Sequence, residues 1–509
     1  MINRREFLMA PAAVSAAAPQ ERKQPNILHL QSDQQQWATI AGRSPCRTPN
    51  LNRLASGGML FERPYTPSAV CCPSRAMTLS GAYHWHNGVY NQVHSSPSVH
   101  RDLDPDTVLY SQRLRDAGYR QGYVGKWHCS WVRTPMDFGF DDVANVFGCD
   151  PRAIAKLNNN PDRVEQVRGQ LKTTATRSFR WPGSEPFVMW GYREGPEEAT
   201  PEAYTADCAI AMMDRFAKGS QPWHLEAHWS ETHDAYMPLK KYLDRYDPRA
   251  IPVPGNFSDT FANKPGMHRR EAGIWAGATE EDVRISRAHY YASTEQLDAQ
   301  IGRVLDALER TGQAGNTLVV FTTDHGDMAG AHHMWIKGWM PYEECYRIPL
   351  IARWPAAIKA GGRCEHLVQL HDLAHTYTEV AGAKAMPYAD GRSLAPLFED
   401  PERADWTDDI LCAFYGGEFL YTQRIAINRR YKYVFNGFDF DELYDLERDP
   451  GEMLNVVDTP DYRLQAGDMR QRLWAMMNRF EDPYGDVKAR NSIGAQPDRY
   501  GAARYVSRR

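Results

Sequence analysis

The sequence predicts an α/β fold: a large mixed, mostly parallel central sheet flanked by helices, with a smaller C-terminal α+β subdomain that contains an antiparallel sheet. Short apolar runs that end in polar clusters recur over the first 390 residues, as buried parallel strands do. Helix start and stop signals separate several of these runs. Beyond about Gly391 the runs become short and aromatic, which is typical of antiparallel strands.

The first strand is predicted over residues 25–31, whose apolar run stops at the polar segment 32–35. Ligands bind at such carboxyl ends of strands in open α/β sheets. Thr48 then predicts the N-cap of a helix, with Pro49 at its first position and the glycines at 57–58 as its stop. Later runs predict further buried parallel strands: 59–61, 122–125, 224–227, 317–321 and 348–351.

The clearest helix is predicted over about residues 293–310, with Gly312 as its C-terminal cap. Apolar residues line one of its faces: Leu297, Ile301, Val304 and Leu308. Residues 145–198 are polar and weakly periodic, which indicates a long insertion over the rim of the site rather than a core element. The C-terminal subdomain is predicted to contain strands at 410–415, 424–427 and 431–435 and a helix at about 466–480.

Composition excludes some functions. The chain of 509 residues has a formal net charge of -5 and contains no basic tract, so binding to nucleic acid or to an anionic membrane is not predicted. An anionic substrate therefore has to be bound by local charges. Nine cysteines without regular spacing predict neither a zinc pattern nor a dense disulfide framework, and their odd number leaves at least one unpaired.

Residues 1–20 resemble a twin-arginine export signal, because Arg4-Arg5 precede a short apolar stretch and the small residues 15–18. The alternative is a frayed tail with two adjacent arginines. No later segment approaches the ~18 apolar residues of a membrane span. We therefore predict three parts: the signal at 1–20, a catalytic domain at 21–390 and the subdomain at 391–509. The mature chain is expected to be periplasmic or secreted, without a membrane span, after handling by the twin-arginine translocation machinery.

The segment 71–75, Cys-Cys-Pro-Ser-Arg, which continues to Leu-Ser-Gly at 79–81, resembles the signature of the type I sulfatases. This formylglycine-dependent family belongs to the alkaline phosphatase superfamily. In it, a separate maturation enzyme oxidises the first cysteine, here Cys71, to formylglycine. For these residues alone, the alternative is a buried thiol pair at the start of a helix. Matches in the expected order cover nearly the whole mature chain, and they imply the alkaline-phosphatase-like sandwich fold.

The resemblance also implies a metal site. Its ligands would be Asp33, Gln34, Cys71, Asp324 and His325. Oxygen-rich ligands suit a hard divalent cation, usually Ca²⁺ in this family. Many members carry an acid at the Gln34 position and asparagine at the His325 position, and an imidazole ligand moves the preference towards Mn²⁺ or zinc. We expect one divalent metal, Ca²⁺ with Mn²⁺ as the alternative. For any one carboxylate alone, the alternative is a cap on a helix.

The same resemblance assigns the catalytic residues: Cys71, Arg75, Lys126, His128, His233 and Lys337. Arg75 would hold the formylglycine hydrate, and Lys126 and His128 would orient and deprotonate it, since histidine titrates near neutrality. The family assigns sulfate binding to His233 and Lys337, with proton donation to the leaving alcohol by His233. Asn91 is expected to contact the substrate with them.

Several further residues keep two interpretations. His332 and His333 belong either to the pocket or to the plain surface of a loop. Ala331 stands where many relatives have an acid, so a hydrogen bond behind the site is expected to be missing. Four residues are candidates for the rim, with packing or surface roles as the alternative: Trp181, Trp190, Tyr415 and Arg429.

The leading hypothesis is an exported, metal-dependent sulfuric ester hydrolase that releases inorganic sulfate, with a sulfated carbohydrate as substrate. A phosphonate or phosphate ester hydrolase is the first alternative, because a tetrahedral phosphorus centre also fits a metal and cations. The Gln34 and His325 departures support it. The second alternative is an inactive protein that binds sulfated glycans, but the nucleophile and the metal ligands are all present.

Overall fold

In the computed structural model, the described residues are 24–485 apart from 96–97, 158–168, 181–184, 418–420 and 438. The predicted export signal and the end of the chain from residue 486 lie outside them. Within the described part, no helix combines the length and the apolar character that crossing a lipid bilayer requires.

Strands and helices alternate through most of the chain. The strands, numbered β1 to β14, are Asn26–Ser32, Met59–Tyr65, Arg120–Lys126, Asp142–Phe147, Lys172–Phe179, Phe187–Glu194, Trp223–His228, Thr317–Thr323, Leu350–Arg353, Gly362–Gln369, Ile410–Phe414, Gln423–Ile427, Tyr431–Asn436 and Glu442–Asp445. The α-helices, numbered α1 to α13, are Pro49–Ser56, Cys71–Ser80, His84–Asn87, Tyr110–Asp116, Pro151–Ile154, Pro201–Phe216, Lys240–Leu243, Gly266–Ile274, Glu280–Arg310, Glu343–Tyr346, Asp372–Val380, Ala395–Glu399 and Arg463–Arg479.

Eight strands form the central sheet in the order β10-β2-β9-β8-β1-β7-β3-β4. All run parallel except β9, which is antiparallel to both β2 and β8. The predicted mixed, mostly parallel sheet is confirmed, but the prediction that residues 348–351 form a parallel strand is wrong. Between β8 and β9 the chain contains only short helical turns such as α10. Parallel strands in an α/β sheet are usually joined through a crossover helix, and the connection at 324–349 has no long helix, so β9 returns antiparallel to β8.

The centre of this sheet determines where the polar strand ends meet. β1 lies between β7 and β8, with Gln31 opposite His228 and Ser32 opposite Thr323. Because these strands are parallel, their carboxyl ends lie at one edge of the sheet. The segments that begin at Asp33 and Asp324 therefore leave the sheet side by side.

Helix α9 is longer than its apolar pattern predicts. It begins at Glu280 rather than at about residue 293, and it ends at Arg310 as predicted. Thr279 Oγ1 accepts a hydrogen bond from the Asp282 amide, and Asp282 Oδ2 accepts one from the Thr279 amide. This capping box stabilises a first turn made of acidic residues, which apolar periodicity does not detect.

The insertion at 145–198 contains a hairpin in which β5 and β6 pair antiparallel. Glu185 and Phe187 line a large cavity, as expected for an insertion at the rim. However, Met189 and Trp190 are buried in a hydrophobic cluster. The prediction that the insertion contributes nothing to the core is therefore wrong for β6.

Strands β11 to β14 form a second sheet in consecutive antiparallel order, which confirms the predicted C-terminal sheet. Helix α13 packs in one hydrophobic cluster with residues of this sheet, through Met469, Leu473 and Met477. The Ala413 amide donates to the Pro67 carbonyl at 2.9 Å, so the sheet supports the loop that leads into α2. The boundary at residue 391 stays a prediction.

Candidate active site

Helix α2 carries Cys71 as its first residue, and Pro73 lies in its first turn. The Ser74 amide closes the first turn on the Val70 carbonyl at 3.0 Å. Proline is tolerated in this turn because the first amides of a helix have no acceptor within it. The N-terminal amides and the positive end of the helix dipole therefore lie beside Cys71, where they favour an anion.

Arg75 and Lys126 hold the two carboxylates at the strand ends. Arg75 donates from Nε to Asp324 Oδ2 at 2.8 Å and from Nη2 to Asp33 Oδ2 at 3.0 Å. Lys126 Nζ donates to the same Asp33 oxygen at 2.6 Å. Burial works to raise the pKa of Asp33, but Lys126 and other nearby cations hold it well below its usual range. Asp33 therefore stays ionised.

His228, which the sequence-based prediction missed, contacts the Arg75 guanidinium. Arg75 Nη1 lies 3.0 Å from His228 Nδ1 and donates to the Lys126 carbonyl at 3.0 Å. The other ring nitrogen of His228 bonds to the buried carboxylate of Glu226. No motif marks His228, although its place at the end of β7 is where an open α/β sheet puts such residues.

Four of the predicted metal ligands converge. One ligand atom from each of Asp33, Cys71, Asp324 and His325 lies within 4.8 Å of all the others, and all four residues are buried. His325 Nδ1 bonds to the Gly326 carbonyl at 2.8 Å, which leaves Nε2 directed at the cluster, 3.1 Å from Cys71 Sγ. Two carboxylates, one imidazole and one further ligand at position 71 fit a divalent cation.

Gln34 lies beside this cluster with its amide fully hydrogen-bonded. Its Nε2 donates to Asp327 at 2.7 Å and to Asp234 at 3.2 Å, while Oε1 accepts from Lys337 Nζ at 2.9 Å. An amide oxygen has two lone pairs, so Oε1 keeps one for a cation. Its role as a metal ligand stays a prediction.

The charges around Cys71 favour a negatively charged group. Burial works to raise the pKa of its thiol, but Lys126, Lys337 and His325 hold it well below the ordinary value. Surroundings that stabilise a thiolate in this way also stabilise another bound anion.

His128 is a buried imidazole on this side of the site. Burial, followed by the charge of Lys126, lowers its pKa to about 3. Its Nε2 lies 2.8 Å from Nδ1 of His94, and the two rings stack with centroids 4.5 Å apart. His128 is therefore neutral at physiological pH. His94 lies in no motif, and the sequence-based prediction missed it.

His233 lines the same cavity as His128. Its Nδ1 is 3.1 Å from Asp234 Oδ1, and its Nε2 is 3.0 Å from Lys337 Nζ. Burial works to lower the pKa of His233, but Asp234 raises it above the ordinary histidine value. His233 can therefore hold a proton that His128 cannot.

These side chains face a cavity of about 1180 Å³. Its polar wall comes from Lys126, His128, His233, Asp234 and Lys337, together with His94. Apolar and aromatic residues also line the cavity: Phe187, Ile274, Trp275, Trp335, Ile336 and Trp339. Further charged lining residues are Glu185, Arg270 and Glu271. The cavity can hold a ligand that has an anionic end and a larger body.

Other predicted residues lie elsewhere. Asn91 is buried, and its Oδ1 accepts a hydrogen bond from the Val99 amide. It does not line this cavity, so its contact with substrate stays a prediction. His332 is buried against Asp259, and His333 bonds to a main-chain carbonyl at 3.0 Å, so neither lines the cavity.

The rim candidates have mostly structural contacts. Trp190 is buried in the core, Tyr415 bonds to Arg424, and Arg429 pairs with Asp408 at 2.5 Å. Ala331 lines a separate cavity at the junction with the C-terminal sheet. Trp181 lies outside the described residues.

A family model described as Sulfatase matches residues 25–383. The chain belongs to the sulfatase family. A second model, described as N-sulphoglucosamine sulphohydrolase, C-terminal, matches residues 330–479. The second match includes the antiparallel sheet and α13, so the family resemblance extends through the described C-terminal part of this sulfatase.

Known proteins resemble this sulfatase along most of its length. The N-acetylglucosamine-6-O-sulfatase of Bacteroides thetaiotaomicron is 26% identical over 94% of this chain and 91% of its own. A phosphonate monoester hydrolase from Silicibacter pomeroyi has a TM-score of 0.74 at 23% identity, covering 95% of this chain and all of its own. A structure in complex with its substrate D-glucosamine-2-N,6-O-disulfate has a TM-score of 0.71 at 22% identity, covering 92% of this chain and all of its own. The two structures establish the fold of this sulfatase.

Proposed function

We propose that this protein hydrolyses the sulfate ester of a sulfated carbohydrate and releases inorganic sulfate, with a formylglycine made from Cys71 as its nucleophile. We further propose that it works outside the cytoplasm after twin-arginine export, and that a formylglycine-generating enzyme matures it. Residues 21–390 would form the catalytic domain and residues 391–509 the C-terminal subdomain.

One observation carries the proposal: two histidines whose pKa values are shifted in opposite directions interact with a single buried cysteine that cations surround. Lys337 lies 3.0 Å from Nε2 of His233. Hydrolysis of an ester needs one group that accepts a proton from the nucleophile and another that donates one to the leaving oxygen. Their opposite pKa shifts suit these two roles.

Formylglycine would supply a geminal diol. One of its oxygens would attack sulfur as the S–O bond to the leaving alcohol breaks, and loss of the proton from the other hydroxyl would then expel sulfate by cleavage of the C–O bond and restore the aldehyde. His128 would deprotonate the diol. In this structure Lys337 donates to His233 Nε2. With substrate bound, Nε2 would take up a proton in place of that hydrogen bond and give it to the leaving oxygen, and Lys337 would stabilise the charge there. Arg75 keeps Asp33 and Asp324 in place.

A divalent cation fits the cluster of Asp33, Asp324, His325 and residue 71. It would supply positive charge for a sulfate oxygen and for the nucleophile. Ca²⁺ is the cation that two carboxylates favour, and Mn²⁺ is the one that the imidazole of His325 favours. Gln34 Oε1 would complete the site through its second lone pair.

The carbohydrate substrate is supported by the shape of the cavity and by relatives. A cavity lined by both aromatic and cationic side chains accommodates a sugar ring that carries an anionic group. The relatives include an N-acetylglucosamine-6-O-sulfatase, and a protein of the same fold is in complex with a glucosamine disulfate.

The test uses protein matured in a host that makes formylglycine. We expect the wild type to release sulfate from aryl sulfates and from sulfated glucosamines in the presence of Ca²⁺ or Mn²⁺, and Cys71→Ala to release none. Mass spectrometry of the peptide that contains residue 71 checks the modification. Fully converted protein without activity on any of these esters would contradict the proposal.

A phosphonate ester hydrolase is the second candidate, because Gln34 and His325 leave only two carboxylates in the cluster. Paired aryl sulfate and aryl phosphonate monoesters with the same leaving group separate the two. The ester with the higher kcat/KM identifies the transition state that the site fits better.

A further inference from the structure

We infer that His94 is a positioning residue that fixes the ring and the tautomer of His128, so that Nδ1 of His128 faces residue 71 as a lone pair. This inference rests on the proposed function, since it assigns a partner to the proposed base. His94 would act through His128 and would not contact the reacting atoms.

The ring of His128 is held on two sides. Its Nε2 lies 2.8 Å from His94 Nδ1, within hydrogen-bond range, and the two ring planes are inclined by 19° with centroids 4.5 Å apart. Gly148 packs against it from the end of β4, where an added Cβ would lie 3.3 Å from His128 Cδ2. A residue with a side chain at position 148 would therefore displace the ring.

Between two neutral imidazoles, one nitrogen must donate and the other must accept. Two protons cannot both lie between nitrogens that are 2.8 Å apart. The shared hydrogen bond therefore contains one proton, and its position determines the tautomer of His128.

The surroundings of the second nitrogen decide between the two tautomers. Nδ1 of His128 is buried and has no hydrogen-bond partner among the described residues. Residue 71 interacts with the His128 side chain, and a hydrate there presents a hydroxyl. The oxygen of that hydroxyl can accept as well as donate, but only an unprotonated Nδ1 can take the hydroxyl proton, as the proposed base must. With the proton on Nε2 of His128, His94 Nδ1 accepts the hydrogen bond, and Nδ1 of His128 keeps the lone pair that a base needs.

His94 can accept this hydrogen bond because its own second nitrogen has access to water. The side chain is exposed and lines the cavity, so Nε2 can carry the ring proton there. Cys72 Sγ also approaches His94 Nδ1, but at 4.0 Å and with a thiol whose pKa burial raises. It is a weak competitor for the 2.8 Å bond from His128.

Two substitutions separate the acceptor from the packing. His94→Asn keeps an acceptor near the position of Nδ1, and His94→Phe keeps a ring for stacking but offers no acceptor. We expect His94→Phe to lower kcat on aryl sulfates about 100-fold with KM nearly unchanged, and His94→Asn to recover most of the loss. In a His128→Ala background, His94→Phe should have no further effect, because the two residues act as one unit.

A readout without turnover keeps the inference separate from the proposed function. In protein labelled with ¹⁵N-histidine, His128 assigned by its alanine variant should show a protonated Nε2 and a bare Nδ1. His94→Phe should lose this preference, and thermal unfolding checks that the variant folds. If the wild type shows this tautomer but hydrolyses no ester, the proposed function fails and the role of His94 remains.

Three results would overturn the inference. The first is a protonated Nδ1 in the matured wild type. The second is an unchanged kcat and an unchanged tautomer in His94→Phe. The third is a stoichiometric metal ion bound by Cys72, His94 and His128, whose ligand atoms are close enough to hold one. Such an ion would replace the hydrogen bond.

Discussion

Two histidines that line one cavity have pKa values shifted in opposite directions. Burial and then Lys126 lower the pKa of His128 to about 3. In contrast, Asp234 raises the pKa of His233 even though burial opposes it. Both rings line one cavity, so the identity of the charged neighbour, and not depth alone, determines the protonation state.

Opposite shifts of this kind suit a base and an acid in one site, which are the roles that we propose for His128 and His233. Variants that remove one neighbour at a time therefore test the comparison directly.

The largest effect is expected when His128, the proposed base, is replaced. His128→Gln should lower kcat on aryl sulfates about 10³-fold, since a positioned general base contributes about 10²- to 10⁴-fold. Steady-state kinetics of fully matured protein check this value. The control is His100→Gln, which alters an exposed histidine outside the cavity and should leave kcat unchanged. An active His128→Gln variant would remove His128 from the mechanism.

The charge of Lys126 is the next target. In Lys126→Met, the pKa of His128 should rise towards its ordinary value, because the ammonium that lowers it is absent, although burial still opposes the charged form. A base works only when deprotonated, so the acidic limb of the pH profile should move to higher pH, and kcat at pH 6 relative to kcat at pH 8 should fall by up to about 4-fold. Lys126→Arg keeps the charge and should keep the acidic limb near that of the wild type. If Lys126→Met and the wild type had identical acidic limbs, Lys126 would not be a cause of the low pKa of His128.

The substitution Asp234→Asn tests the cause of the raised pKa of His233. Without the carboxylate, the pKa of His233 should fall, so the protonated form is lost at lower pH. The basic limb of the profile should therefore move to lower pH, and kcat should drop about 10-fold more for alkyl than for nitrophenyl esters, which need less help from an acid. Asp244→Asn, at an exposed carboxylate, is the matched control. An equal loss for both leaving groups would mean that Asp234 acts in another way.

The smallest effect is expected on stability. A chelator should lower the midpoint of thermal unfolding, since a metal present at 100 times its dissociation constant adds about 2.7 kcal/mol to the free energy of unfolding. Calorimetry with and without Ca²⁺ measures the shift. Asp33→Asn should lose most of it, because Asp33 is part of the four-residue cluster. A shift that is the same in this variant would place the metal elsewhere.

Sequence patterns predicted the strand ends and most of the residues that meet there. Asp33 and Asp324 follow apolar runs directly, and parallel strands bring such ends to one edge of the sheet. Cys71, Lys126 and His233 were found through motif matches. The roles of these residues stay predictions, although the fold places them together.

Other features left no local signal. The direction of β9 depends on a return of the chain without a crossover helix, and the start of α9 is a polar turn. His94 reaches His128 from another loop, which no spacing rule connects. The support of Arg75 by His228 likewise becomes visible only when β7 lies beside β1.

The complete burial of α2 has a consequence for the order of events in the cell. Every residue of this helix is buried, and Cys71 is 0% exposed. An enzyme that oxidises Cys71 needs access to its sulfur, and the folded chain offers none. Oxidation would have to precede folding. The fraction of active protein would therefore depend on the rate of oxidation relative to the rate of folding. A chain that folds before oxidation would be exported with the same fold but would stay permanently inactive.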